Sequence, residues 1–166
     1  MNRFTVCGES KAEITVERSR FLAVAAGVTD EKQAAEFVAG VAKRFYDATH
    51  NCYAFSAGGA KRFSDDGEPS GTAGKPIMDV LTGRGLTNVL CVVTRYFGGI
   101  LLGAGGLVRA YSKSAADAVA KAGVVSYLPG TILDIPMDYS RYGALEGFIR
   151  ANACLLYTSD AADDLI

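Results

Sequence analysis

Three carboxylates within four residues, Asp65, Asp66 and Glu68, are the side chains best suited to chemistry. Carboxylate oxygens are the ligands that divalent cations prefer, and paired carboxylates can act as general acid and base. Their spacing is not that of an EF-hand loop, and Gly67 and Pro69 are residues that shape a solvated turn. The group therefore fits either a cation site or a structural turn, and we assign no metal ligand and no catalytic residue.

A lysine follows the carboxylates in the run S-G-T-A-G-K-P, residues 70–76. This order lacks the G-x-x-x-x-G-K-[ST] spacing of a phosphate-binding loop, and Pro76 stands where that loop has its hydroxyl. Proline also removes one backbone donor. We therefore predict no nucleotide cofactor here and interpret Lys75 as a cation that engages a phosphate or an acidic group.

A second segment, residues 94–111, places five glycines between an apolar run and a helical pattern: Gly98, Gly99, Gly103, Gly105 and Gly106. Free N–H groups and the dipole at the start of a helix can hold a phosphate or a carboxylate. The alternative is that the glycines only allow a strand and a helix to pack tightly. The order is not G-x-G-x-x-G, so a dinucleotide cofactor is poorly supported.

The same segment mixes cations with aromatic rings: Arg95, Arg109 and Lys113 with Tyr96, Phe97 and Tyr111. Such a mixture suits RNA, through its backbone and stacked bases, or an acidic protein partner. The rings suit a hydrophobic core equally well. We expect the acidic and glycine-rich segments to converge in one accessible pocket.

Neither the single histidine nor the four cysteines forms a catalytic or zinc pattern. The cysteines contain no C-x-x-C pair, and Cys52 and Cys91 lie in apolar runs typical of core strands. No G-x-S-x-G elbow accompanies His50, and we interpret Thr49 and His50 as a hydrogen-bonded structural or surface pair. These patterns favour a binding protein over an enzyme. The alternatives are a magnesium-dependent hydrolase or phosphoryl-transfer enzyme, and a pure protein-interaction module.

The composition fits one globular domain plus a fragment: 166 residues, 49% of them apolar. The formal net charge of -1 gives no global attraction for nucleic acid, so any such contact needs a local basic cluster. The sequence has neither an apolar run of membrane-spanning length nor an N-terminal secretory signal. We therefore expect a cytoplasmic protein with no membrane partner.

Hydrophobic periodicity indicates the elements that position these residues. The predicted strands cover residues 14–17, 21–26, 50–57 and 88–94, the last of them apolar enough for a central strand covered on both faces. Helices are predicted after a capping pair at Asp30 and Gln33, near Pro76, and from the glycine-rich segment to a cap at Gly123. This order favours an α+β two-layer sandwich over a doubly wound fold.

A second region begins near Pro129 and Gly130. Alternation at Leu133, Ile135 and Met137 predicts a strand, and a helix pattern follows, but one strand and one helix cannot close a core. We predict a first domain at residues 1–129 and a truncated second domain at 130–154. Residues 155–166 resemble translated vector sequence, and we predict that they are a non-native or disordered tail.

The motif segments resemble the IMPACT/YigZ family, and the resemblance covers nearly all of residues 1–128. It is carried by A-T-H-N-C-Y-A-F at residues 48–55, S-D-D-G-E-P-S-G-T-A-G-K-P at 64–76 and T-R-Y-F-G-G-I-L-L-G-A-G-G-L-V-R-A-Y at 94–111. The resemblance implies an α+β domain similar to one in a small-subunit ribosomal protein and in elongation factor G. It also implies a ferredoxin-like second domain, of which this chain carries only the beginning.

The resemblance also implies a role. Eukaryotic relatives regulate translation by competing for the activator of a starvation-sensing kinase, and the compact form of this chain is similar to the bacterial branch. By resemblance, the motif residues form a surface groove for nucleic acid or a translation component. We therefore expect a non-enzymatic protein that contacts the ribosome, a ribosome-associated factor or RNA. The predicted ligand-binding residues are Asp65, Asp66, Glu68, Lys75, Arg95, Tyr96, Gly98, Gly99, Gly103, Gly105, Gly106 and Arg109.

Overall fold

The computed structural model describes residues 3–127 and 135–151. The chain divides into two compact units, Met1–Pro129 and Gly130–Ile166. In the first unit the strands are β1 (Arg3–Val6), β2 (Ser10–Val16), β3 (Ser19–Gly27), β4 (His50–Ala57), β5 (Ala60–Ser64), β6 (Val89–Tyr96) and β7 (Val124–Tyr127). Its helices are α1 (Glu31–Arg44), α2 (Gly74–Gly83) and α3 (Gly103–Ala122). No helix in the described ranges is long and apolar enough to cross a membrane.

Five strands form an antiparallel sheet in the order β2-β3-β6-β4-β5. β2 and β3 form a hairpin in which Val16 pairs with Ser19. The two turn residues, Glu17 and Arg18, have φ values of 45° and 64°, which match the right-handed twist of the strands. The mixed α+β class with antiparallel pairing agrees with the sequence-based prediction.

The sheet carries helices on both faces. In β6, Cys91 and Val93 belong to the core formed with α2 and α3, whereas Leu90 and Val92 belong to the core formed with α1. The prediction of a covered central strand is therefore confirmed, but the prediction of two layers is wrong, because the unit has three. The side on which α1 packs is decided by tertiary contacts that no local pattern records.

Local signals give the start of α1 correctly. The Asp30 carboxylate accepts the backbone N–H of Gln33 at 2.8 Å, and the Gln33 side chain accepts the N–H of Thr29 at 2.7 Å. The buried side chains Ala34 and Val41 then face the sheet. The predicted capping pair is thus confirmed, and its hydrogen bonds join residues no more than four positions apart.

Three strands were not predicted. β1 and β7 pair with each other in a separate two-stranded sheet, and both have only four residues. β5 is a short edge strand with exposed Lys61 and Arg62, so it lacks the alternation of a half-buried strand. Short strands of this kind are defined by their partners rather than by their own composition.

In the second unit a 3-10 turn (Tyr139–Arg141) leads into α4 (Tyr142–Ala151). Ile135 and Met137 lie in a segment without regular structure, so the predicted strand is absent from the described part of this unit. The physical reason is that alternation alone does not supply the hydrogen-bonded neighbour that a strand requires. Leu133 and residues 155–166, for which we predicted a tail, lie outside the described residues.

One end of the five-stranded sheet gathers the motif segments. The C-terminal end of β6 lies between the N-terminal ends of β3 and β4, with Tyr96 beside Arg20 and Arg95 beside His50. The acidic loop (residues 65–73) leaves β5 at this end and leads into α2, and the glycine-rich loop (residues 97–102) leads from β6 into α3. We call this region, residues 65–75 and 95–109, the motif end of the sheet.

Candidate functional site at the motif end of the sheet

A buried ion pair joins the two motif segments. Arg95 Nη1 donates to Glu68 Oε1 at 2.7 Å, and only 5% of Arg95 and 8% of Glu68 are exposed. The Tyr111 hydroxyl, from α3, donates to the same Glu68 oxygen at 2.7 Å. We call these three residues the Glu68–Arg95 junction. A buried charge is tolerated only when it is paired and hydrogen-bonded, and the junction satisfies both conditions for Glu68.

The Arg95 guanidinium lies close to two aromatic rings. Its central carbon is 5.5 Å from the ring centre of Phe21 and 5.4 Å from that of Phe97. Its Nη2 also lies 3.4 Å from the hydroxyl of Ser19. The structure therefore places Arg95 inside the protein, where it connects β3, β6 and the two motif loops.

Tyr111 in the junction and Cys52 next to it remain protonated. Burial raises the pKa of the Cys52 thiol to about 12, so it is a hydrogen-bond donor and not a thiolate. Its sulfur lies 3.0 Å from the carbonyl oxygen of Asp65, which accepts a hydrogen bond from the thiol. Burial also raises the pKa of Tyr111, with further contributions from Cys52 and Glu68. These two groups contribute hydrogen bonds and no nucleophile.

Asp65 holds the acidic loop in shape. Its carboxylate accepts the backbone N–H groups of Gly71 at 2.8 Å, Ala73 at 3.0 Å and Gly74 at 2.8 Å. Partial burial acts to raise the pKa of Asp65, but the three backbone donors together outweigh it, so the pKa is lowered. Ala73, at the start of α2, offers no side-chain cap, and Asp65 supplies one from the preceding loop.

Asp66 and His50 fasten the start of the loop to β4. The Asp66 carboxylate accepts the backbone N–H of Asn51 at 2.6 Å, and His50 Nδ1 donates to the Asp66 carbonyl at 2.7 Å. The other ring nitrogen of His50 is 3.9 Å from Glu68 Oε2. Of the two expected roles, structural or surface pair, these hydrogen bonds give His50 the structural one. Each of the three carboxylates in the motif is thus engaged by a donor of the protein itself.

The glycine-rich loop is held by close backbone packing. Gly98 donates its N–H to the Ser19 hydroxyl at 3.1 Å, and a β-carbon placed on it would overlap the backbone carbonyl of Arg18. Gly98 is therefore a glycine that tight packing requires, which is the alternative role given above for these glycines. Gly99 lies in the exposed part of the loop, where a β-carbon added to it would meet no atom within 4 Å.

The other predicted glycines open α3. Gly103 is its first residue, and Gly105 and Gly106 belong to its first turn. The preceding residue, Leu102, makes no side-chain cap bond. Gly103 and Gly105 are exposed, whereas Gly106 is half-buried.

The remaining predicted residues lie around this end without joining the junction. Lys75 is exposed on α2 and pairs with Asp79 one turn later. The half-buried Tyr96 donates its hydroxyl to Asp47 at 2.9 Å. Arg109 is exposed on α3.

An open groove of about 410 Å³ lies beside the junction, between β2 and α3. We call it the β2–α3 groove, and its lining is Ile14, Val16, Glu17, Ile100, Leu101, Leu102, Gly106, Arg109, Ala110 and Lys113. No residue of the acidic loop reaches it. The expectation of one accessible pocket formed by both segments is therefore corrected: the segments do meet, but they meet in the buried junction, and the groove belongs to the glycine-rich side.

Sequence reasoning missed several residues that complete the junction. The sequence indicates Tyr111 only as a stacking or core ring, and Cys52 only as a core residue. Ser19 contacts both Arg95 and Gly98, but the sequence does not indicate this role because serine is a common turn residue. Across the described part of the chain, no group of three or more His, Cys, Asp or Glu side chains is arranged to hold a metal ion.

Comparison with known proteins identifies the family. Residues 17–119 match the Impact N-terminal domain, a range that contains both motif segments. YvyE of Bacillus subtilis (strain 168), an IMPACT family member, is 44% identical over 156 residues, which cover 92% of this chain and 72% of YvyE. YigZ of Escherichia coli (strain K12), another member, is 37% identical over 139 residues, which cover 81% of this chain and 68% of YigZ.

A solved structure shows the same fold. The crystal structure of a hypothetical protein aligns with a TM-score of 0.72 at 31% identity, covering 96% of this chain and 80% of that one. This chain therefore belongs to the IMPACT family, as its motifs predicted.

Proposed function

We propose that this protein is a translation-associated binding protein whose motif end contacts the ribosome or a ribosome-associated factor without catalysing a reaction. The observation that carries the proposal is the Glu68–Arg95 junction, which fixes two loops from distant parts of the chain as one surface. A binding surface gains affinity when its loops are ordered before the partner arrives.

Membership of the IMPACT family supports the link to translation, since the resemblance of the motif segments implies such a role. The exposed side chains at this end support a contact with ribosomal RNA. Lys75 and Arg109 are exposed cations on two different helices, and Phe97 on the glycine-rich loop presents a partly exposed ring. Cations and an aromatic ring on one surface suit phosphates and unstacked bases.

The junction argues for binding over the magnesium-dependent alternative. The carboxylates of Asp65, Asp66 and Glu68 accept hydrogen bonds from backbone amides, Arg95 and Tyr111. A magnesium ion would have to displace several of these donors and the loop geometry that they hold. In this proposal the carboxylates shape the surface and the cations contact the partner.

The proposal is tested by co-sedimentation of the chain with purified ribosomes across a salt series. Each phosphate contact contributes about one unit to the slope of log affinity against log salt. We expect Lys75→Gln and Arg109→Gln each to weaken binding and to reduce the slope by about one unit. Lys121→Gln, which removes an exposed cation from the last turn of α3, is the matched control. Absence of binding at low salt, or an equal effect of all three variants, contradicts the proposal.

A further inference from the structure

The strand beside the β2–α3 groove is an edge strand. β2 is the first strand in the order β2-β3-β6-β4-β5, so within the described residues its backbone pairs on one side only, with β3. Unpaired N–H and C=O groups along such an edge are a template for an added strand. The groove therefore has a row of main-chain donors and acceptors along one border.

The groove next to this edge is apolar. Ile14 and Val16 are two residues apart on β2, so both face α3, and the opposite border is formed by Ile100, Leu101 and Leu102. Ile100 and Leu101 are consecutive and exposed, at 37% and 88%, so they form an apolar stretch on the surface rather than a single exposed side chain. Alternate side chains of an added strand would point into this groove. The lining contains no aromatic ring for a base to stack on, so it favours a peptide over RNA.

The charges of the groove define the peptide further. Lys113 shares its charge with Asp117 at 3.0 Å in an exposed pair, whereas Arg109 has no ion pair among the described residues and is the stronger attraction for an acidic group. Glu17 places a negative charge at the β2–β3 turn, which repels an acidic side chain from that part of the groove. An acidic side chain is therefore complementary to the α3 border, where Arg109 lies.

We propose that the β2–α3 groove binds an extended peptide segment of a protein partner, which pairs with the edge of β2, inserts alternate apolar side chains and sets an acidic side chain against Arg109. The volume of about 410 Å³ fits a few side chains. This inference goes beyond the proposed function, because it needs no ribosome, and each can fail without the other.

The test begins with a displayed library of random decapeptides selected against the immobilised chain. We expect enrichment of peptides that carry apolar residues at alternate positions and one Asp or Glu. A labelled synthetic copy of an enriched peptide is then titrated into variants. Leu101→Ser and Arg109→Gln should each weaken binding about tenfold. Phe63→Ser on the opposite edge strand and Lys121→Gln are the matched controls, and they should leave binding unchanged.

Two peptide variants separate the parts of the proposal. Replacing the acidic residue by its amide should weaken binding to the wild-type chain but cause no further loss in Arg109→Gln, since that cation is already absent. N-methylation of the peptide backbone should abolish binding at positions of one parity and leave it intact at the other, because only alternate amides face β2.

The proposal is overturned by a selection that enriches no peptide, by enriched peptides without an acidic residue, or by binding that both groove variants leave intact. Equal effects of N-methylation at both parities overturn strand pairing. Displacement of the peptide by an RNA oligonucleotide that binds in its place would assign the groove to nucleic acid instead.

Discussion

The acidic loop and the glycine-rich loop lie at the same end of the sheet but are built in opposite ways. The acidic loop directs Asp65 and Glu68 inward, where their carboxylates bind backbone amides, Arg95 and Tyr111. The glycine-rich loop packs its backbone against the β2–β3 turn and leaves apolar side chains in solvent, with Leu101 the most exposed. The carboxylates of Asp65 and Glu68 therefore bind groups of the protein itself, whereas the apolar side chains of the neighbouring loop face solvent.

This difference means that removing charge from the acidic loop should damage the fold, whereas changing side chains on the glycine-rich loop should damage only binding. The predictions below test that division, and they run from the largest expected effect to the smallest.

The largest effect is expected for Glu68→Ala. The change leaves the Arg95 guanidinium buried without its counter-charge, so the free energy of unfolding should fall by about 3–5 kcal/mol. Denaturant unfolding measures this loss. The double variant Glu68→Leu, Arg95→Met, which replaces the pair by apolar side chains, should recover a large part of it.

Glu36→Ala is the control for Glu68→Ala, because Glu36 is exposed on α1, and its effect should stay within about 0.5 kcal/mol. If Glu68→Ala costs no more than this control, the junction does not hold the two loops together.

A smaller, pH-dependent effect is expected for Asp65→Asn. Hydrogen bonds to a charged group contribute about 1.5–3 kcal/mol, so the amide should cost roughly that amount at neutral pH. The folded state lowers the pKa of Asp65, so its contribution is present above the ordinary aspartate value of about 3.9 and is lost as the pH falls through the folded value.

Urea unfolding of wild type and Asp65→Asn from pH 7 to pH 2 checks this sign. The difference in unfolding free energy should shrink in acid as the wild-type carboxylate becomes protonated. A difference that grows in acid would show that the backbone donors do not stabilise the carboxylate.

The smallest effects are expected within the glycine-rich loop itself. Gly98→Ala should cost about 1–3 kcal/mol, since the new methyl group overlaps the Arg18 carbonyl and forces the backbone to shift. Leu101→Ser, three residues later, should change the unfolding free energy by less than about 0.5 kcal/mol because its side chain is exposed. Thermal unfolding of both variants makes the comparison, and equal losses would mean that the side chains also hold this loop.

The features that were predicted correctly from the sequence are those that depend on neighbouring residues. β4 begins at His50 and ends at Ala57, as the alternation indicates, and the cap of α1 at Asp30 is encoded within four residues. The C-terminal cap of α3 at Gly123 was found for the same reason, since its φ of 71° is a conformation that favours glycine.

Features that depend on distant residues were not predictable in this way. Glu68 and Arg95 are separated by 27 positions, and Tyr111 lies 43 positions from Glu68. No sequence spacing therefore indicates that the three side chains share hydrogen bonds. The face of the sheet on which α1 packs was not predictable either, because both faces of β6 are apolar. Family resemblance indicated which segments matter, but only the structure shows that one segment holds the fold and the other presents a surface.

The central claim is that the motif end of the sheet is the surface that meets the ribosome. The most direct test is photo-crosslinking to purified ribosomes, with a benzophenone amino acid at position 70, in the exposed part of the acidic loop, or at position 32, on α1 at the opposite end of the sheet. We predict crosslinks to ribosomal RNA or protein from position 70 and none above background from position 32. Crosslinks from position 32 alone, or equal yields from both positions, would contradict the account.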